Sequence, residues 1–213
     1  MPFTLPTIYP ITNVELSGLS HSEQVRQFAK AGCRFLQIRE KHLSGKEFFE
    51  VVFSAVEIAE SFGMKMIVND RVDIAMAAGA GGVHLGQGDL PPEHARKLLG
   101  NEAVIGFSTH SVDQAIEAIE FPIDYIAFGP IFPTGSKENP DPVVGVEELR
   151  RVRDEIGVFP LVAIGGISGS NVEEVLAAGA DSAALINALY NDQSNITEQF
   201  TKLSNLADSV KQR

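Results

Sequence analysis

The sequence predicts a (β/α)8 TIM barrel, an α/β fold in a single domain over residues 1–213. Three observations predict it. Eight short apolar runs alternate with amphipathic stretches from end to end, the junction from helix to strand repeats, and no linker or low-complexity segment interrupts the series. Barrels of this kind typically take ~250 residues and can shrink to ~200, so this is a compact one with roughly 27 residues per unit.

The apolar runs that read as strands are 7–11, 34–38, 64–68, 82–85, 103–107, 125–128, 161–164 and 182–186. The helical patterns between and after them are 21–31, 45–62, 71–78, 91–99, 112–119, 146–156, 171–178 and 196–210. Within 45–62, for example, Phe48, Val51, Val52, Ala55, Ile58 and Ala59 recur at helical spacing. Strands alternating with helices imply parallel pairing through crossover helices. The segments AGCRFLQIRE, AGAGGVHLGQ and AGADSAALIN each end a helix in Ala-Gly and open a strand that closes on a polar group. Gly32, Gly79 and Gly179 are thus expected past helix ends in the left-handed conformation, where lacking a Cβ removes the strain. A doubly wound open sheet is the alternative, although eight strands without an added domain suit closure better.

Composition limits the function. With 44% hydrophobic and 21% charged residues the chain is ordinary globular material. A net charge of -11 opposes a broad nucleic-acid or anionic-membrane footprint, so any anion site must gather its few cations locally. Cys33 is alone, which excludes an internal disulfide and a cysteine zinc cluster. The start, MPFTLPTIYP, does not read as a secretory signal, and no run approaches the ~18 apolar residues of a spanning helix. A cytoplasmic protein is the economical expectation. Nothing here sets the oligomeric state.

The unusual residues follow the strands. Gln37, Arg39, Glu40 and Lys41 follow the second, Asn69-Asp70-Arg71 the third, Gln87 and Asp89 the fourth, and Ser108-Thr109-His110 the fifth. GPIFPTGSK follows the sixth, Gly165-Gly166 the seventh and Asn187 the eighth. In a parallel barrel these ends share one face, the face that holds barrel active sites. Arg39 and Lys41 alternate with Glu40, so an extended exit turns both cations to one side, where they could grip phosphate or pair as surface salt bridges. Asp70 and Asp89 are hard oxygen donors suited to magnesium, and each also stands where a helix N-cap could be. Thr134, Gly135, Ser136 and Lys137 could surround an anion or form a solvent loop, and the spacing is not that of a Walker P-loop. Gly165-Gly166 is expected to open the next helix and offer it to a phosphate, or simply to make a tight turn. His84, inside an apolar run, reads as a hydrogen-bonded core histidine, and His21, His42 and His94 fall near helix starts or on polar faces. Neither a Ser-His-Asp triad nor a histidine metal cluster emerges from the spacing.

The ordered set QIREK, VNDRVDIAMAAGAGGVHLGQGDLP, IGFSTH, DYIAFGPIFPTGSK and VAIGGI resembles the thiamine phosphate synthase family over about residues 5–189. That resemblance implies a barrel enzyme that joins hydroxymethylpyrimidine diphosphate to a thiazole phosphate with magnesium, releasing diphosphate. It implies that Gln37, Ile38, Arg39, Glu40, Lys41 and Asn69, with Ser108 and Lys137, contact the pyrimidine diphosphate. Asp70 and Asp89 would hold the metal; Thr134, Gly135, Ser136, Gly166, Ile186 and Asn187 would meet the thiazole phosphate. Arg39, Lys41 and Lys137 would neutralise the leaving diphosphate. Two positions depart from the family: Ser136 where threonine is usual, and Asn187 where serine is usual. A thiazole tautomerase-like paralogue and a non-catalytic phosphate-ligand-binding barrel are the rival functions.

Overall fold

All eight expected strands form in the computed structural model, which describes residues 4–135, 141–190 and 195–211. In chain order the elements are β1 (Ile8–Pro10), α1 (Val14–Ser17), α2 (His21–Lys30), β2 (Phe35–Ile38), α3 (Gly45–Ser61) and β3 (Lys65–Asn69). Then come α4 (Val72–Ala77), β4 (Gly82–Leu85), α5 (Pro92–Leu99), β5 (Val104–Thr109), α6 (Val112–Ala118) and β6 (Tyr125–Phe128). The chain continues through α7 (Gly145–Ile156), β7 (Leu161–Ile164), α8 (Val172–Ala177), β8 (Ser182–Leu185), a 3-10 turn (Asn187–Leu189) and α9 (Ile196–Lys211). The short α1 was not expected. It is a single turn held by its caps, with the Asn13 side chain accepting from Leu16 N–H and Gly18 left-handed at φ 66°, and it buries no residue. Without an apolar face it leaves no periodic trace in the sequence.

Every pairing is parallel, and the order β1-β8-β7-β6-β5-β4-β3-β2 places each strand beside its chain neighbours. The ring meets itself between β1 and β2 through one parallel bridge, Ile11 to Gln37, beside which Thr12 N–H donates to the Gln37 carbonyl at 2.9 Å. The predicted helix stops behave as argued: Gly32, Gly79 and Gly179 have φ of 86°, 68° and 103°. At the other end of α3, Ser44 and Glu47 form a capping box that satisfies both backbone amides.

Strand alternation divides the core in two. Phe35 and Gln37 of β2 face the barrel interior while Leu36 and Ile38 pack outward against the helices. The interior is filled by Tyr9, Phe35, Ile67, Val104, Tyr125, Val162 and their neighbours, so the barrel is packed and offers no pore. Tyr9, Phe35 and Tyr125 meet with ring centroids 4.7 to 6.2 Å apart.

Two matching clasps tie the amino-terminal side. Arg96 of α5 bonds the carbonyls of Gly100, Ala103 and Pro122 and pairs with Asp124 at 2.7 Å, and Asp124 accepts from Ile105 N–H. Arg153 of α7 repeats this with the carbonyls of Gly157, Phe159 and Gly179, pairing with Asp181 at 2.6 Å while Asp181 accepts from Leu161 N–H. Each guanidinium thereby locks a helix end to the two strands beneath it.

Candidate active site

At the carboxyl ends of the strands lies a cavity of about 340 Å³, large enough for a small organic ligand. Gln37 and Arg39 from the exit of β2, Asn69 from β3, His84 from β4 and Ser108 from β5 line one side. Thr134, Gly135, Gly165, Gly166, Ile186 and Asn187 line the other. The two residue groups separated in the sequence therefore share one space. Asn69 is 7% exposed and its amide nitrogen has no hydrogen-bond partner among the described residues. A buried donor left unmade is costly, and this one stands at the cavity wall, where its amide could donate to an acceptor.

The exit from β2 is held rigidly. Thr12 Oγ1 accepts from Arg39 N–H at 3.2 Å and meets His21 Nδ1 at 2.9 Å. His21 Nε2 in turn reaches Glu40 at 3.3 Å, and the other Glu40 oxygen accepts from the backbone N–H of Lys41 and His42. Desolvation works against the Glu40 carboxylate, but the donors from His42, His21 and Lys41 outweigh it and keep the carboxyl below its ordinary range. His21 is buried, where the sequence suggested a position near a helix start or on a polar face. It is both: the first residue of α2, turned inward by its two partners. Glu40 turns to His21 and Arg39 lines the cavity, while Lys41, not among the cavity-lining residues, pairs with Asp70. The Ile38 side chain is fully buried in the outer core, which leaves only its backbone to face the site.

Asp70 and Asp89 come together. Asp70 is the one non-glycine residue with positive φ among the described residues, at 63°, and its N–H donates to the His84 carbonyl at 2.8 Å. That left-handed turn, tied to β4, carries its carboxyl to within hydrogen-bonding reach of Asp89. Burial raises the Asp89 pKa first, and the neighbouring Asp70 charge raises it further, against the N–H of Gly86 and the Lys41 ammonium. Neither aspartate caps the following helix: the N-cap positions of α4 and α5 are Arg71 and Pro91, and neither makes a side-chain cap. No group of three or more His, Cys, Asp or Glu suited to a metal occurs among the described residues. Two close oxygen donors fit a hard divalent cation that keeps water and phosphate for its remaining positions.

The far side is made by backbone. After β6, the N–H groups of Ile131 and Phe132 donate to the carbonyls of Ile164 and Gly165 at 2.9 and 3.0 Å, which lays Thr134 and Gly135 along the rim. Gly165 and Gly166 have φ of 99° and 64°, and a Cβ on Gly166 would stand 2.5 Å from the Pro133 carbonyl oxygen. Both glycines are therefore required by backbone sign and by close approach. The expectation that they open a helix is corrected: α8 begins at Val172, and the intervening turn is tied by Asn171 to Ser168 and Gly166. Residues of this turn, rather than a helix end, line the cavity. Ser136 and Lys137 lie outside the described residues.

Below the cavity runs a buried polar chain of which the sequence reading missed the two tyrosines. The Gln37 amide donates to Tyr9 Oη (2.9 Å), Tyr9 Oη meets Tyr125 Oη (2.9 Å), Tyr125 Oη meets His84 Nδ1 (2.9 Å), and His84 Nε2 meets Ser108 Oγ (2.9 Å). His84 is a hydrogen-bonded core histidine as expected, and it also lines the cavity floor. Desolvation pushes its pKa down to about 4, against a small opposing pull from Asp70. Tyr9 and Tyr125 left no signal because aromatic residues in apolar strands read as core alone.

A family model described as thiamine monophosphate synthase matches residues 8–189. The chain belongs to this family. A thiamine-phosphate synthase from Clostridium novyi is 40% identical over 85% of this chain and 89% of its own. One from Persephonella marina is 39% identical over 95% and 96%. Among solved structures, a thiamine phosphate pyrophosphorylase from Pyrococcus furiosus superposes with a TM-score of 0.85 at 32% identity, covering 96% of both chains. Like other thiamine monophosphate synthases, this chain is a transferase of thiamine biosynthesis that couples a pyrimidine to a thiazole moiety. No helix among its described residues is long and apolar enough to cross a membrane.

Proposed function

We propose that this cavity joins hydroxymethylpyrimidine diphosphate to a thiazole phosphate, with the two substrates held at the two sides described above. The observation that carries this reading is the convergence on one cavity of Arg39, the unpartnered amide of Asn69 and the backbone rim of Thr134, Gly135 and Gly166, beside the paired Asp70 and Asp89. On the first side, Gln37, the 38–41 segment, Asn69 and Ser108 hold the pyrimidine diphosphate. On the second, Thr134 to Ser136, Gly166, Ile186 and Asn187 hold the thiazole phosphate, and the Asn187 amide replaces a hydroxyl donor with a larger one.

In the reaction the bond from the pyrimidine methylene carbon to the diphosphate oxygen breaks, and its electron pair leaves with the diphosphate. The electron-rich aminopyrimidine bears the resulting positive charge until the thiazole nitrogen lone pair forms the new C–N bond. Arg39, Lys41 and Lys137 neutralise charge that grows on the leaving oxygen, which is the largest lever a protein has in such chemistry. Asp70 and Asp89 would hold magnesium, which when bound supplies charge neutralisation and a template for the diphosphate. Asn69 and Gln37 orient the ring so that the methylene faces the incoming nitrogen.

The test is direct. Purified protein is incubated with both phosphorylated heterocycles, with magnesium or with chelator, while thiamine phosphate and diphosphate are followed. Equimolar products that vanish with chelator are expected. Absence of magnesium-dependent coupling would overturn the reading, and conversion between thiazole tautomers alone would favour the paralogue.

A further inference from the structure

The floor chain has a fixed beginning. The nitrogen of the Gln37 amide can only donate, so Tyr9 Oη receives there and has one proton of its own to give. Tyr9 touches one further polar atom of the chain, Tyr125 Oη, and sits 1% exposed in the barrel interior. If Tyr125 spent its proton on Tyr9, the Tyr9 proton would be stranded among the described residues, at the cost of a buried unmade hydrogen bond. Tyr9 therefore donates to Tyr125. Tyr125 then gives its proton to His84 Nδ1, and a neutral imidazole that accepts at Nδ1 carries its single proton on Nε2, facing Ser108 Oγ. With its oxygen receiving from below, Ser108 has its own proton left for the cavity that it lines.

Space is reserved for this chain. Gly106 of β5 has no side chain at the place where a Cβ would stand 2.0 Å from Tyr125 Cζ and 2.5 Å from His84 Nδ1. The His84 and Tyr125 rings stack with centroids 5.5 Å apart and an interplanar angle of 21°, which fixes the imidazole plane.

We infer that His84 is a positioning residue: locked as the Nε2–H tautomer by Tyr125, Tyr9 and Gln37, it turns the Ser108 hydroxyl into a dedicated donor toward the pyrimidine diphosphate. The substrate half of this statement rests on the coupling function proposed above; the tautomer does not. Bonds in such a chain polarise one another, so each donor strengthens the next. Gln37 thus acts twice, once at the cavity wall and once as the origin of the direction in which the protons point.

Two measurements decide it. In histidine-15N-labelled wild-type protein without substrates, long-range 1H–15N correlations, with the His84 signal assigned by its loss in His84→Gln, are expected to show Nε2 protonated and Nδ1 bare. An Nδ1–H tautomer overturns the inference. The second compares variants by steady-state kinetics. Glutamine can place an amide donor where Nε2 stands, whereas asparagine reaches only the Nδ1 position. His84→Gln is expected to retain at least tenfold more kcat/KM than His84→Asn, with circular dichroism alike in the two. Equal losses, with Ser108→Ala no worse than either, would show that His84 merely fills space and would overturn it. Wild-type protein that makes no thiamine phosphate overturns the coupling function instead, and the tautomer measurement still stands on its own.

Discussion

Arg39 combines a backbone held by Thr12 with a guanidinium that lines the cavity. On the function proposed above, its replacement by alanine removes a donor to the leaving group, worth ~3 kcal/mol or a hundredfold in turnover. Thermal melting should stay within a few degrees of wild type, and an unchanged rate would remove Arg39 from the clamp. His84 gives a second residue-level consequence through its depressed pKa of about 4. Between pH 6.5 and 4 the unfolded chain takes up a proton at this site that the folded protein refuses, so stability falls as the medium is acidified through that window. It is fully present above pH 6.5, and the loss amounts to roughly 3 kcal/mol by pH 4. Urea titrations of wild type and His84→Gln should differ by this slope; parallel curves would show that the imidazole is not desolvated. At this scale the sequence was legible in part. Polar residues that end strands, such as Asn69 and Ser108, announced themselves by contrast with their apolar surroundings. Tyr9 and Tyr125 could not, because a phenol in a strand has the same sequence signature whether its hydroxyl is used or not.

The elements themselves could be read more fully, because hydrophobic period and Ala-Gly stops are local signals. All eight strands and eight of the helical segments stand where apolar runs and amphipathic stretches put them, within a residue or two. Two readings stayed open at Gly165-Gly166, a helix start or a tight turn; the φ signs and the contact with Pro133 make it the turn, and α8 follows where its amphipathic stretch put it. Long-range packing decides such a choice, and one chain segment does not encode it. The Arg96 and Arg153 clasps belong to this scale too. Arg153 ties α7 to the turns before β7 and β8 through three carbonyls and Asp181. Arg153→Ala should lower stability by about 2 kcal/mol, since charge-assisted bonds to carbonyls, two of them part-buried, would be left unmade. Its kcat at a temperature where it is folded should match wild type, because the clasp lies at the opposite end of the barrel from the cavity. A large kcat loss there would mean the two ends communicate.

For the whole molecule, parallel closure turns a list of strand-end residues into a single site, and this is why function was legible before any geometry. The sequence could say which end of each strand carried chemistry; it could not say that the Asp70 turn would be left-handed or that both residue groups would line one cavity. One feature of the closed ring has a kinetic side. Seven of its eight seams are ladders of three or more paired residues, while the eighth, from β1 to β2, is one bridge and the Thr12 bond. The same Thr12 fixes Arg39. The joint that costs least to open is therefore the one from which Arg39, of the proposed diphosphate clamp, hangs. On warming, catalysis should fade before the barrel melts, and the backbone amides of Thr12 and Arg39 should exchange with solvent deuterium sooner than those of Phe107 and Ile126. Coincident loss of activity and ellipticity, with uniform exchange, would mean that the seam is as firm as the rest. If exchange begins there, bound pyrimidine diphosphate becomes the missing rung of the ring, and substrate should slow exchange at the seam more than anywhere else in the protein.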